Sequence, residues 1–361
     1  MNMSNFQLHF FVFLTTFSMV ESTRASWTPQ VYNAIKWTAA NQDQETIAFT
    51  TNQGITRVPI IYHGGVDRDE SGTITDQNID RFSQWVREHL AIDYCGPIVM
   101  DYEHPWWKEL SAKSITPKRL DEILSIYTKG IRVADNVLPS AQWGYWGLPL
   151  LRQTSQKWLD KGLSVEPLIS HCSALYPDIY DSNMKGDSAP LIEKHISKVL
   201  ELAGGRIPVY VFVSPRFTGQ GGDHSFFVPN DVFLKQTNAA MKAVWVDEDG
   251  VQHKIQGLIL WDTYKFSPES DWKELDQKHK YYFELLQALV KAWEKEMQGT
   301  EVNTGLSTSS FCQYALPEPK NSVVELESES TSQSVGDRRV QPEKESDRVG
   351  SGRIRGNRVK E

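Results

Sequence analysis

Two carboxylates one residue apart, Asp101 and Glu103, close the apolar run Ile98-Val99-Met100 and precede His104-Pro105-Trp106-Trp107. In an extended strand, residues i and i+2 share a face, so the two carboxylates project together and Tyr102 projects the other way. Like charges held close do not ionise independently. The last proton is held more tightly, and one group stays an acid near neutral pH while its neighbour is an anion. Such a pair suits acid–base work, for example protonating the leaving oxygen of a glycosidic bond. Both groups lie on one side, which places Asp101 poorly as a direct nucleophile across that bond. A substrate-assisted route fits better: a 2-acetamido oxygen of the sugar attacks, one carboxylate orients it, and the other is acid, then base. The same three letters also fit a strand with a solvated, structural end.

The elements that must position this pair repeat along the chain. Short β-branched and aromatic runs alternate with helical patterns. "RVPIIYHGG", "GPIVMDYE", "AQWGYWGLP", "HCSALYPDIY", "RIPVYVFVSPRF" and "KIQGLILWDTY" read as strands. Helices are predicted over residues 75–90, about 116–137, in "APLIEKHISKVLEL" before Gly204-Gly205, in "VPNDVFLKQTNAAMKAVW" with Asn230 as N-cap, and in the stretch from Trp272 to Met297. Strand–helix repetition with apolar strands argues a parallel sheet in an α/β fold. No GxGxxG turn follows a strand, which counts against a dinucleotide-binding sheet. His63, Asp101, Glu103, Tyr145, Tyr176, Arg216, Trp261 and Asp262 crowd the carboxyl ends of the strands, where a (β/α) barrel keeps its site. A distorted TIM-like barrel is therefore expected.

The totals bound the rest. The net charge of −8 over 361 residues provides no global basic field for nucleic acid. Residues 1–25 read as a signal peptide cut after Ala25, and no later segment is apolar enough to span a bilayer, so an exported, soluble protein is expected. Residues 26–299 form the expected barrel domain. Residues 300–361 are rich in Ser, Glu, Arg and Gly and read as a disordered tail. That tail holds ten acids and nine bases, so the negative charge falls mostly on the body. Three cysteines, Cys95, Cys172 and Cys312, allow one disulfide without saying which. No CxxC, HExxH or Cys/His cluster points to zinc, and the acid–base chemistry calls for no cofactor.

Taken together and in order, "VYNAIKW", "IVMDYEHPWW", "QWGYWGLP", "SALYPDIY", "IPVYVFVSPRF" and "IQGLILWDTY" resemble segments of the hyaluronidase family of glycoside hydrolases over roughly residues 30–265. The resemblance implies retaining, substrate-assisted cleavage beside an N-acetylhexosamine of a polysaccharide. It implies Glu103 as proton donor, Asp101 as the group that positions the acetamido, Tyr145 and Tyr176 as subsite tyrosines, and Trp261 as the subsite floor. The chain departs from the family at the turn, where His104-Pro105-Trp106-Trp107 lacks the usual Arg. It departs again where cysteines are expected near Trp37 and after "GYWGLP", and in the short loop between "GYWGLP" and "ALYP".

Each residue also has a plainer reading. Tyr145 and Trp146 alternate, so one faces the barrel interior and the other the helices. Trp261 is either a sugar-stacking platform or core. Arg216 holds an acidic sugar or forms an ion pair. His63, before Gly64-Gly65, lines the groove or only enters a turn. Asp262 joins the acids or caps a loop. Asp67-Arg68-Asp69 to Asn78 echoes a calcium loop but reads better as a polar loop with Thr75 capping the next helix. His171 and Cys172 fall on opposite faces of a strand and do not make a dyad. Two rival functions stay open: a glycan-binding barrel without turnover, and a hydrolase for a neutral glycan using Asp178 or Asp262 as a second carboxylate.

Overall fold

A computed structural model describes residues 28–36, 44–181, 187–219 and 222–297. The expected signal peptide and tail lie outside them, as does Trp37. In chain order the elements are β1 (Gln30–Asn33), α1 (Gln44–Asn52), β2 (Thr56–Arg57), β3 (Ile60–Ile61), α2 (Asp76–His89), β4 (Pro97–Met100), α3 (Trp107–Leu110), α4 (Pro117–Val137) and β5 (Gln142–Tyr145). There follow α5 (Gln156–Leu159), α6 (Glu166–Ile169), α7 (Ala189–Ala203), β6 (Tyr210–Val213), α8 (Asn230–Lys242), β7 (Trp245–Val246), β8 (Gln252–His253), β9 (Gly257–Leu260) and α9 (Trp272–Glu296). No described helix is long and apolar enough to cross a membrane.

The fold is α/β with parallel sheets. One sheet runs β2-β1-β9-β6 and another β3-β4-β5; β7 and β8 make a small antiparallel pair. The regular strands do not form one closed ladder. Isolated parallel bridges extend them: Trp146 with Tyr176, Leu175 with Val209 and Asp178 with Phe212 place residues 174–178 between β5 and β6. This stretch was expected as a strand. Pro177 has no N–H to donate, which leaves bridges in place of a ladder. On the other side, residues 56–61 serve both sheets. Val58 N–H donates to Asn33 O at 2.9 Å, and Val99 N–H donates to Pro59 O at 3.0 Å.

Parallel neighbours need long crossovers, and α2, α4, α7 and α8 provide them. Thr75 and Asn78 form a reciprocal capping box at the start of α2, and Thr116 caps α4 ahead of Pro117. Leu120, Ile123, Leu124, Tyr127, Ile131 and Ala134 put one buried stripe on α4. Gly204, at φ 60°, ends α7 in the left-handed conformation. The cap of α8 is displaced by one position from the sequence expectation. Pro229 is the N-cap, and Asn230, already helical, donates to the Tyr281 hydroxyl at 2.9 Å.

Strands β4, β6 and β9 are buried on both faces, as their apolar runs require. Their side chains feed two cores. Ile98, Met100, Val211, Leu258 and Leu260 pack outward against the helices. Tyr32, Val58, Val99, Tyr176, Phe212 and Ile259 pack inward on one another. The inner cluster is topped by the half-buried Trp146, Tyr180 and Trp261.

Candidate active site

Strand β4 ends at Met100, and the next three residues are pinned by their backbone. Asp101 N–H donates to Ile61 O at 2.9 Å, Gly64 N–H donates to Asp101 O at 3.0 Å, and Trp107 N–H donates to Glu103 O at 2.7 Å. The turn opposite needs left-handed backbone at His63, Gly64 and Gly65. A Cβ on Gly64 would sit 2.1 Å from Asp67 O, so only glycine fits there. Tyr102 projects away from its two neighbours, as strand parity requires. Its hydroxyl donates to Asp67 and accepts from Trp106 Nε1 at 3.0 Å, and its ring stacks on Tyr127 at 5.0 Å. This clamp fixes the backbone between Asp101 and Glu103, and both carboxylates are left half-buried on the inner side.

Burial pushes Asp101 up to about 7, reinforced by the charges of Glu103 and Glu70 and opposed by Lys36. Its Oδ1 is buried without a hydrogen-bond partner. Burial also raises Glu103, with His104 opposing and Glu70 assisting. Asp178, from the stretch between β5 and β6, is pushed up to about 6 by burial; the Tyr180 N–H on its Oδ1 at 3.2 Å opposes the shift and the Glu103 charge adds to it. The site therefore holds protonatable carboxyls in the neutral range.

That arrangement costs stability in a pH-dependent way. Asp101 is ordinary in the unfolded chain and raised in the fold. Its contribution is fully present below about pH 4 and is lost as pH rises through about 7. Asp101→Asn is expected to stabilise the protein at pH 8 by on the order of 2–4 kcal/mol and to change little at pH 4. Urea denaturation at the two pH values checks this; equal shifts at both would refute it.

The aromatic residues divide between the two cores. Tyr145 faces the helices: its hydroxyl donates to Tyr127 O at 3.0 Å and its ring meets Tyr127 edge-on at 4.6 Å. The inner position belongs to Trp146, stacked on Trp107 at 5.0 Å and tilted against Tyr180 at 5.8 Å. Tyr176 is inward but deeper. It donates to Gln142 O at 2.5 Å and accepts from Ile98 N–H at 3.1 Å, at the other end of the strands from the carboxylates. Trp261 lies at the upper layer, stacked on Tyr180 at 5.7 Å. Gly147, at φ 71°, lets Trp107 and Asp178 approach. A Cβ there would meet the Trp107 ring at 2.5 Å and Asp178 Oδ2 at 3.2 Å.

Arg216 is not turned to the groove. Its Nε donates to both Asp262 oxygens at 2.9 Å, Nη1 to His224 O at 2.9 Å and Nη2 to Ser267 Oγ at 2.8 Å. His279 Nε2 lies 2.9 Å from Asp262 Oδ2, and all three side chains are buried. Asp262 is thus bound in this triad, apart from the acids. His63 is exposed at the turn beside β3. The polar loop after it is closed on itself: Asp67 accepts from Ser71 and Gly72 N–H, Asn78 donates to Asp69, and Thr75 caps α2. No metal-binding cluster occurs among the described residues. Cys95 is disulfide-bonded, while Cys172 is free and buried, its thiol pushed up to about 12.

Trp146, Tyr180 and Glu70 escaped the sequence reading as site residues. Strand period signals the first two, since Gly144 and Trp146, like Tyr176, Asp178 and Tyr180, share one side. Nothing in the sequence signals Glu70, whose charge helps raise both Asp101 and Glu103 and whose backbone is left-handed at φ 50°.

No protein-family model matches the chain, and no curated protein matches its sequence. Among solved structures, a monoclinic crystal form of bee venom hyaluronidase aligns with a TM-score of 0.51 at 14% identity, over 73% of this chain and 99% of that one. The bee venom enzyme in complex with a hyaluronic acid tetramer aligns at 0.48 and 12% identity, over 76% and 97%. An endo-1,4-β-D-mannanase from Thermotoga petrophila aligns at 0.35 and 12%, over 60% and 66%. The first of these shows that the chain is similar in fold to bee venom hyaluronidase along nearly the whole of that protein.

Proposed function

We propose that the chain is a glycoside hydrolase that cleaves a polysaccharide beside an N-acetylhexosamine. The reading rests on one observation: Asp101 and Glu103 share the inner face, kept protonatable by burial, at the end of the strands where Trp146, Tyr180 and Trp261 top the inner cluster. Glu103 gives its proton to the leaving oxygen while the 2-acetamido oxygen closes on the anomeric carbon. Asp101 accepts a hydrogen bond from the acetamido N–H and holds it in line. Glu103 then takes a proton from the water that opens the ring intermediate. The bridges that place residues 174–178 between β5 and β6, and the shared stretch 56–61, support reading the sheets as a distorted (β/α) barrel. Export after removal of residues 1–25 and a catalytic body at 26–299 belong to the same proposal.

Asp178 favours a second reading. It approaches from the bridged stretch between β5 and β6 and feels the Glu103 charge, so it offers the second carboxylate of an ordinary two-carboxylate scheme. Reducing-end release from a panel of glycans, with and without an acetamido-derived thiazoline, separates the two. Inhibition, with Asp101→Asn more damaging than Asp178→Asn, supports the substrate-assisted route. Resistance with the reverse order supports the second. Binding without release from any glycan, repeated across acidic and neutral polymers, would leave a binding barrel.

A further inference from the structure

We infer that the groove above Asp101 and Glu103 takes a polymer of uncharged sugars and excludes acidic ones; a homopolymer of N-acetylhexosamine meets both this condition and the acetamido chemistry. The inference rests on the glycosidase reading and names its substrate class.

Two independent features lead to it. The first is charge. Asp101, Glu103, Glu70 and Asp178 act on one another, and burial weakens the screening between them. Against them stand Lys36, whose ammonium also lies 3.6 Å over the Tyr62 ring, and His104. Arg216, the residue best suited to grip a uronate, is buried and holds Asp262, His224 and Ser267 instead. A sugar carboxylate brought beside these groups would meet the charge of whichever of them has ionised and raise the cost of ionising the rest, and the net charge of −8 repels a polyanion before contact.

The second feature is a continuous file of rings. Trp107 stacks on Trp146, Trp146 meets Tyr180, Tyr180 stacks on Trp261, Trp261 meets Phe266, and Phe266 stacks on His224. The steps run from 4.4 to 6.0 Å, so no gap interrupts the file. All six rings keep some exposure. The stacked pairs turn one face of each ring to its neighbour; the faces and edges that remain can bind the apolar C–H faces of sugar rings without needing charge, and a row of them suits a chain of sugars better than a single one.

The test uses full-length Glu103→Gln, which separates binding from turnover. Its tryptophan fluorescence is titrated with an N-acetylglucosamine hexamer and with a hyaluronan hexasaccharide at low and high salt. The expected result is at least about tenfold tighter binding of the uncharged hexamer, unaffected by salt. Trp146→Ala in the same background should weaken it about tenfold, and Trp146→Phe, which keeps a ring and guards against misfolding, should restore most of it. Tighter binding of hyaluronan that fades with salt overturns the inference while leaving the glycosidase reading intact. Tighter binding of the uncharged hexamer, with no cleavage of it by the unmodified protein, upholds the preference and removes the glycosidase reading. Failure to bind either overturns the inference.

Discussion

Glu103→Gln is expected to lower kcat on the natural polymer by about 10³-fold with little change in KM. Gln keeps the shape of the side chain but has no acidic proton to give. Its effect therefore falls on the transition state, where the leaving oxygen gains charge, and not on substrate binding. The loss should shrink on an aryl glycoside whose phenolate leaves without protonation, because the first step then needs no acid. In the unmodified protein, activity should fall on the alkaline side as Glu103, raised by burial, loses its proton. In the variant that limb should flatten. Steady-state kinetics on both substrates across pH measures all of this. Equal losses on polymer and aryl glycoside would deny Glu103 the role of acid.

The largest expected effect on stability comes from Arg216→Leu, a loss of about 3–5 kcal/mol. The substitution leaves the buried Asp262 carboxyl without its ion-pair partner, with His279 and the Thr263 N–H its other hydrogen-bond partners among the described residues. Removing one partner of a buried pair is far costlier than removing the pair, so Arg216→Met combined with Asp262→Leu should recover much of the loss. The triad also joins the loop holding His224, the end of β9 and helix α9. Loosening it should free Trp261, the neighbour of Asp262. Equilibrium denaturation of the single and double variants tests the energetics. An Arg216→Leu protein as stable as the parent would show that the triad contributes nothing.

Periodicity made much of this legible, and heights and partners did not follow from it. The apolar strands, the α4 stripe, the Thr75 and Thr116 caps and the common side of Asp101 and Glu103 all follow from local spacing. The choice between Tyr145 and Trp146 does not. Parity along β5 says only that they differ, and pairing with β4 decides which faces inward. Tyr176 and Tyr180 share a side, yet the bridge from Trp146 to Tyr176 sets their depths and puts Tyr180 beside Trp261. The commitment of Arg216 depends on Asp262 and on His279, far along the chain, which no local pattern can announce. Glu70 depends on a backbone conformation that is unusual for a glutamate.

The doubly engaged stretch at residues 56–61 has an evolutionary consequence. Its first half is paired to the strand beside β9, which leads to Trp261, and its second half to β4, which delivers the two carboxylates. Inserting or deleting one residue there would slide one half past the other by about 3.3 Å and reverse which side chains face inward. Acid and platform would then no longer meet over the same sugar. Divergence in this lineage should therefore accumulate as length changes in the helical crossovers, while the count of residues from β2 to β3 stays frozen.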